Sequence, residues 1–337
     1  MRLVLISLLI LVFTSSIYAQ GCCSGGAGSP IAGGAASGVL QQYQMEISVN
    51  YQVNSSNTFY TGSEVTEPLF ENLTSNYMFF RTDYGLSKKL TLSLATGYYL
   101  RKSKETEHIE NIRTSSGFSD LIIFPRYTVY NKSAYFKRTE IALGIGIKMP
   151  LGIHMDSTLY YSDEWVGDLY SINPPLVQTT NGSNDFMFYS FIFREYQKRK
   201  LRLFISALHV KKSFNSLGLK FGDYSSLGLF VSKTFFRKWG VTTQLKLEHI
   251  GKIKAAEEVD IFLTQYSIDP SSSGSNKAFF IPQISYSHNG LTFFATSEIP
   301  VYQYLHGTQV GSQNQFTVGI NYRFLTKECA PEFELGK

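Results

Sequence analysis

The chain has 337 residues, with 22 Tyr, 26 Phe, 17% charged residues and a formal net charge of +5. The positive charge is modest and spread out, with no basic cluster, which excludes nucleic acid as a partner. Abundant aromatics and a mean hydropathy near zero suit a wall that alternates lipid-facing apolar residues with lumen-facing polar ones.

The chain opens with Met1-Arg2, an apolar run from Leu3 to Phe13, and small residues ending at Ala19. This reads as a signal peptide, 1–19, cleaved after Ala19. The run is too short to span a bilayer as a helix, and no later stretch approaches about 18 apolar residues. The expectation is an exported chain without a transmembrane helix.

Residues 20–39 are rich in Gly and contain Cys22 and Cys23. Gly-rich backbone is conformationally free and is ordered only when something holds it. Three readings stand: a periplasmic lead-in, a plug folded into a barrel mouth, or lipidation of Cys22, for which Ala19-Gln20-Gly21 is a poor signal.

From 40 to 325 the pattern has a period of two, the mark of a half-buried strand. Twelve strands are predicted near 40–53, 74–86, 89–101, 117–130, 135–149, 183–196, 201–213, 222–235, 239–251, 278–288, 290–302 and 313–325. Leu90, Leu92, Leu94, Thr96, Tyr98 and Leu100 face one way, against Thr91, Ser93, Ala95, Gly97, Tyr99 and Arg101. Ile141, Leu143, Ile145, Ile147 and Met149 oppose Glu140, Ala142, Gly144, Gly146 and Lys148. In the last strand, Phe316, Val318, Ile320, Tyr322 and Phe324 oppose Gln315, Thr317, Gly319, Asn321 and Arg323.

The connections carry independent information. Tight turns at 87–88, 131–134, 197–200, 237–238 and 289 alternate with longer segments at 54–73, 102–116, 150–182, 214–221, 252–277 and 303–312. Bacterial outer-membrane barrels have short periplasmic turns and long outer loops. The expected fold is therefore all-β: a transmembrane antiparallel up-and-down β-barrel of about 12 strands (12–14), in the outer membrane. Loop 150–182 would lie outside the cell and turn 197–200 in the periplasm.

The final strand also carries Thr317-x-Gly319-x-x-Tyr322-x-Phe324, similar to the signal read by the barrel-assembly machinery. A periplasmic tail, 326–337, follows and holds Cys329. Cys329 can pair with Cys22 or Cys23 in an oxidising compartment, leaving one cysteine over. The vicinal pair has no neighbouring His and no recognised metal spacing, so neither metal nor cofactor is expected.

Charges expected to face the lumen are Arg81, Asp83, Asp120, Arg126, Glu140, Lys148, Arg194, Lys246, Glu248, Glu298 and Arg323. They are either a mutually paired filling or the lining of a path. Pro125 and Pro282 fall inside strands, where proline cannot donate to the ladder. Each should leave a bulge or a gap, and a gap could serve as a lateral opening. His209 and His249 lie on predicted strands, but no Ser stands at a recognisable catalytic spacing, and no enzyme is expected.

Asp83-Tyr84-Gly85-Leu86-Ser87-Lys88-Lys89-Leu90-Thr91-Leu92 forms a Tyr-Gly-Leu, turn, Leu hairpin. Gly117-Phe118-Ser119-Asp120-Leu121, Pro125-Arg126-Tyr127 and Gly146-Ile147-Lys148-Met149-Pro150-Leu151-Gly152 follow. This order resembles the MetA-pathway of phenol degradation family of outer-membrane channels, akin to FadL-type transporter barrels. The resemblance covers 85–200, with Ser119 and Leu151 departing from the usual Gly and Thr. It implies passive uptake of small hydrophobic or aromatic molecules. The alternative is a structural or partner-binding barrel without transport, for which the aromatic stretch Tyr160 to Trp165 would serve. Expected partners are outer-membrane lipid, a small hydrophobic solute and the assembly machinery; the oligomeric state is open.

Overall fold

The computed structural model describes residues 38–106, 112–165, 167–256 and 269–327. The signal peptide, Cys22, Cys23, Cys329 and most of the two tail segments lie outside the described residues.

The described strands are β1 (Gln44–Ser56), β2 (Phe59–Gly62), β3 (Glu64–Thr66), β4 (Asn72–Gly85), β5 (Leu90–Glu105), β6 (Arg113–Phe118), β7 (Asp120–Ala134), β8 (Lys137–Pro150), β9 (Ser157–Asp163), β10 (Gly167–Ile172), β11 (Asp185–Tyr196), β12 (Leu201–Lys211), β13 (Leu219–Lys220), β14 (Tyr224–Phe235), β15 (Trp239–Ile250), β16 (Lys254–Ala255), β17 (Ser275–His288), β18 (Leu291–Val310) and β19 (Gln315–Leu325). Twelve of them, β1, β4, β5, β7, β8, β11, β12, β14, β15, β17, β18 and β19, form one antiparallel barrel. Each pairs with the next in the chain, and β19 returns to β1 in register from Gln44↔Leu325 to Val53↔Phe316. Closure leaves the wall no free edge, which is what permits strands to cross lipid.

The period-two pattern sorts as the pleat demands. On β8, Leu143, Ile145 and Ile147 are exposed outward while Glu140, Ala142, Gly144, Gly146 and Lys148 are buried inward. Aromatics gather at the short-turn end, where Trp239–Tyr286, Tyr135–Phe136 and Tyr322–Phe324 ring centroids lie 5.0, 4.7 and 5.1 Å apart. Amphipathic rings favour this boundary between lipid and water.

Four details differ from the sequence reading. Asn131–Ala134 belong to β7 and pair with β8, so the turn is Tyr135-Phe136; a register shift at Thr128/Tyr130 delays it. Segment 303–312 is mostly strand: β18 continues to Val310 because β2 pairs with it beyond the barrel. A second shift, between Tyr99 and Lys102, turns Lys102 inward and leaves Arg101 exposed. Arg194 is exposed on the outer face, since the inward residues of β11 are the odd ones from Asp185 to Glu195.

Candidate functional site

The lumen is two-sided. The inward residues of β1 are all polar, and Glu46, Ser48, Asn50, Gln52, Asn54 and Ser56 are buried. Among the inward residues of β4, β5, β7, β11 and β12, the aromatics Tyr77, Phe79, Tyr99, Phe124, Tyr189, Phe191 and Phe204 join one buried cluster with Ala95, Ile122, Met187, Leu208 and Val210, and Phe193 and Phe230 pack against it. Phe204 and Phe230 stack at 4.6 Å, and Phe124 meets Tyr189 edge-on at 5.6 Å. Such offset and edge contacts are favourable for the ring quadrupole. Gly146 on β8 faces Phe124 so closely that a Cβ there would collide with the ring. Small inward residues of one strand thus accommodate the rings of the next.

The predicted charges form three groups. At the short-turn end, Arg81 contacts Glu46 at 3.2 Å and Asp83 at 2.9 Å, and Arg126 reaches Asp83 at 2.8 Å. Arg323 Nε donates to Glu46 at 2.6 Å, and Arg138 reaches Glu140 at 2.5 Å. At the long-loop end, Lys148 lies 2.6 Å from Asp120 and 3.3 Å from Asp185, and Lys212 lies 2.8 Å from Asp185. The third group joins Lys246 to Glu298 at 2.5 Å and to Glu248 at 3.4 Å, with the Tyr224 hydroxyl donating to Glu248 at 3.1 Å. Buried ions of this kind require such partners, because desolvation of an isolated charge costs several kcal/mol.

Sequence reasoning missed Glu46, Arg138, Asp185, Lys212 and Lys102. For Glu46 the signal was present, since it alternates with Met45 and Ile47 on a strand boundary placed too early. Taking Arg194 as inward put Asp185 on the outward parity of the same strand, and Lys212 lies one residue past the end of β12.

Two further chain segments enter the lumen. Before β1, residues 38–40 run inside the wall. Arg126 Nη1 donates to the Gly38 carbonyl at 3.0 Å, the Val39 N–H donates to Glu140 Oε1 at 3.0 Å, and the Leu40 N–H donates to Thr91 Oγ1 at 2.8 Å. At the other end, residues 173–181 of the longest connection fold into the mouth. Asn173, Val177, Gln178, Thr179 and Thr180 are buried. Lys102 donates to the Gln178 carbonyl at 2.7 Å, Gln178 Nε2 donates to the Asn173 carbonyl at 2.8 Å, and Thr180 donates to Asp120. Under this loop lies a cavity of about 490 Å³, lined by the upper part of the lumen and by loops around 69–70, 221–222 and 269–274.

The interior prolines make gaps without shifts. The β7–β8 ladder passes from Ile123↔Ile147 to Arg126↔Gly144, and the β17–β18 ladder from Phe280↔Ile299 to Gln283↔Thr296, each in one register. Pro125 and Pro282 stay paired with their other neighbours, Leu92 and Thr243.

His209 and His249 face outward near the long-loop end. His209 Nδ1 lies 2.9 Å from Ser225 Oγ, and His249 Nδ1 lies 2.7 Å from Asn276 Oδ1. The Ser partner that the sequence did not show sits on the adjacent strand. These are two separate pairs, and the amide orients a different imidazole from the one that meets the hydroxyl. Imidazole, hydroxyl and amide stand in one row across β12, β14, β15 and β17, in the register His209↔Ser225, Ser225↔His249 and His249↔Asn276.

No family model and no curated protein matches the sequence. The fold is similar to the crystal structure of an outer membrane channel from Pseudomonas putida F1, at 11% identity and a TM-score of 0.62, covering 85% of this chain and 97% of that one. More distant are the translocator domain of the autotransporter NalP from Neisseria meningitidis, at 12% identity, 83% and 88% coverage and a TM-score of 0.41, and the β domain of the Bordetella autotransporter BrkA, at 9% identity, 83% and 99% coverage and a TM-score of 0.43. At such identities the likeness is one of fold.

Proposed function

We propose that the protein is a passive outer-membrane channel for small apolar or aromatic molecules, of the kind that the MetA-pathway resemblance implies. The observation that carries this reading is the buried aromatic face of the lumen, which runs from Phe193 near the short turns to Tyr224 beneath the mouth cavity. A flat apolar solute can stack on these rings in place of their contacts with one another. The mid-lumen side chains are buried, so passage needs rings to move; the barrel is a narrow, selective path rather than an open pore. In this reading the loops lie outside the cell, the short turns face the periplasm, and the described end of the 20–39 lead-in, residues 38 and 39, enters the lumen. The paired charges are filling that frames the path, and the protein is not an enzyme.

A second reading is a partner-binding barrel. The hairpin of β9 and β10 projects from the long-loop end with Trp165 95% exposed and Tyr170 64% exposed. Solute uptake separates the two. Porin-deficient Gram-negative cells expressing the protein should take up radiolabelled naphthalene several-fold faster than cells with an empty vector. Equal initial rates would reject the channel and leave the partner-binding barrel.

A further inference from the structure

The mouth cavity has apolar walls and an excess of cations. Its lining includes five lysines, Lys102, Lys104, Lys148, Lys212 and Lys277, against two aspartates, Asp120 and Asp269, a formal balance of +3. Asp185, behind Lys148 and Lys212 at 3.3 and 2.8 Å, and Glu248, close enough to Lys277 to feel its charge, each lower that balance by one, leaving +1 among the described residues. The Lys104 ammonium sits 4.8 Å over the Phe70 ring, and among the described residues no carboxylate reaches it. The Lys102 ammonium sits 4.9 Å over the Tyr99 ring and donates to the Gln178 carbonyl at 2.7 Å. The ring quadrupole attracts an ammonium placed over its face, which holds Lys104 at the cavity wall beside Phe70.

Between these lysines the wall is apolar, with Phe59, Phe70, Leu176 and Val310 packed together. A cavity of about 490 Å³ is of the size that small-molecule sites have, apolar with a few placed polar groups. A neutral hydrocarbon would use the walls and leave the Lys104 ammonium with no carboxylate among the described residues. A hydrophilic anion would use the lysines and leave the walls unmatched.

We infer that this cavity is the entry site for small carboxylates carried on an apolar body, such as aromatic acids. The carboxylate lies toward Lys102 and Lys104, and the ring lies against Phe70 and Leu176. This assignment rests on the channel reading and narrows its substrate class.

Benzoate, benzamide and acetate separate the contributions, as benzamide keeps the ring without the charge and acetate keeps the charge without the ring. Isothermal titration of the purified, detergent-solubilised full chain should show benzoate binding at least tenfold more tightly than either. K102Q and K104Q should each weaken benzoate about five- to tenfold and leave benzamide unchanged. Gel-shift heat modifiability confirms that each variant is a folded barrel. Benzoate binding no tighter than benzamide in the wild type, or unaltered in both folded variants, would overturn the inference. If that happens while naphthalene uptake persists, the channel reading stands without this site. If benzoate binds as expected but naphthalene uptake is absent, the site stands and the channel reading fails.

Discussion

The backbone N–H of Val39 donates to the Glu140 carboxylate at 3.0 Å inside the barrel, so the lead-in to the first strand is bonded to the wall it precedes. Together with the bonds from Arg126 to the Gly38 carbonyl and from the Leu40 N–H to Thr91 Oγ1, this places a strap across the short-turn end of the lumen. Glu140 also holds Arg138, so one carboxylate serves both the wall and the strap.

Removing that acceptor should free the strap. E140A leaves the half-buried Val39 N–H without its partner, at a cost of about 1 kcal/mol. Unitary conductance in planar bilayers should rise relative to wild type. Unchanged conductance in a folded E140A barrel would mean that the strap does not restrict the path.

The mouth loop is held by a comparable bond. Thr180 donates its hydroxyl to Asp120, which also pairs with Lys148 at 2.6 Å. T180V keeps the shape and removes the donor, and should loosen residues 173–181 by about 1 kcal/mol. Limited proteolysis of intact cells should cut this segment faster in T180V, with barrel heat modifiability unchanged.

The two faces of the wall should respond differently to charge. Val318 is exposed on the lipid face of β19, and Gln244 points into the lumen from β15. V318R should cost about 2–4 kcal/mol near the bilayer midplane, and Q244R clearly less. Urea unfolding from lipid vesicles measures both. Equal losses would mean that inside and outside have been exchanged.

The mouth cavity should also sense pH. Lys212 lies one residue past the end of β12 and is pulled down to about 8, by burial first and then by the Lys148 charge, against the attraction of Asp185 and Asp120. Below that value Lys212 is charged; above it the mouth loses a cation. Benzoate affinity should therefore fall as pH rises from 7 to 9.5, and K212Q should flatten that fall. A profile of the same slope in K212Q would assign the pH dependence to another group.

How much of this was legible in the sequence depends on the range of the signal. The alternation of Phe316, Val318 and Ile320 with Thr317, Gly319 and Asn321 is local, and it sufficed for strand type, facing and topology. The lumen charges followed by parity, and parity misplaced Arg194 because the run of Phe186, Phe188 and Ile192 on its outward face continues past the point where the apolar pattern ends. Turn identity was less legible: Asn131-Lys132-Ser133 has turn-like composition, yet the register shift at Thr128/Tyr130 carries it into the strand. The strap and the mouth loop were not legible at all. Their bonds join residues 101 and 60 positions apart, and nothing local in Val39 or Thr180 announces a partner at that range.

The most direct test of the account is single-channel recording of the full chain in planar bilayers with lipopolysaccharide in one leaflet. The account predicts small, discrete steps that a soluble aromatic such as benzyl alcohol interrupts reversibly, as the solute occupies the aromatic face. Membranes that stay silent with folded, inserted protein would contradict it, as would steps that benzyl alcohol leaves untouched.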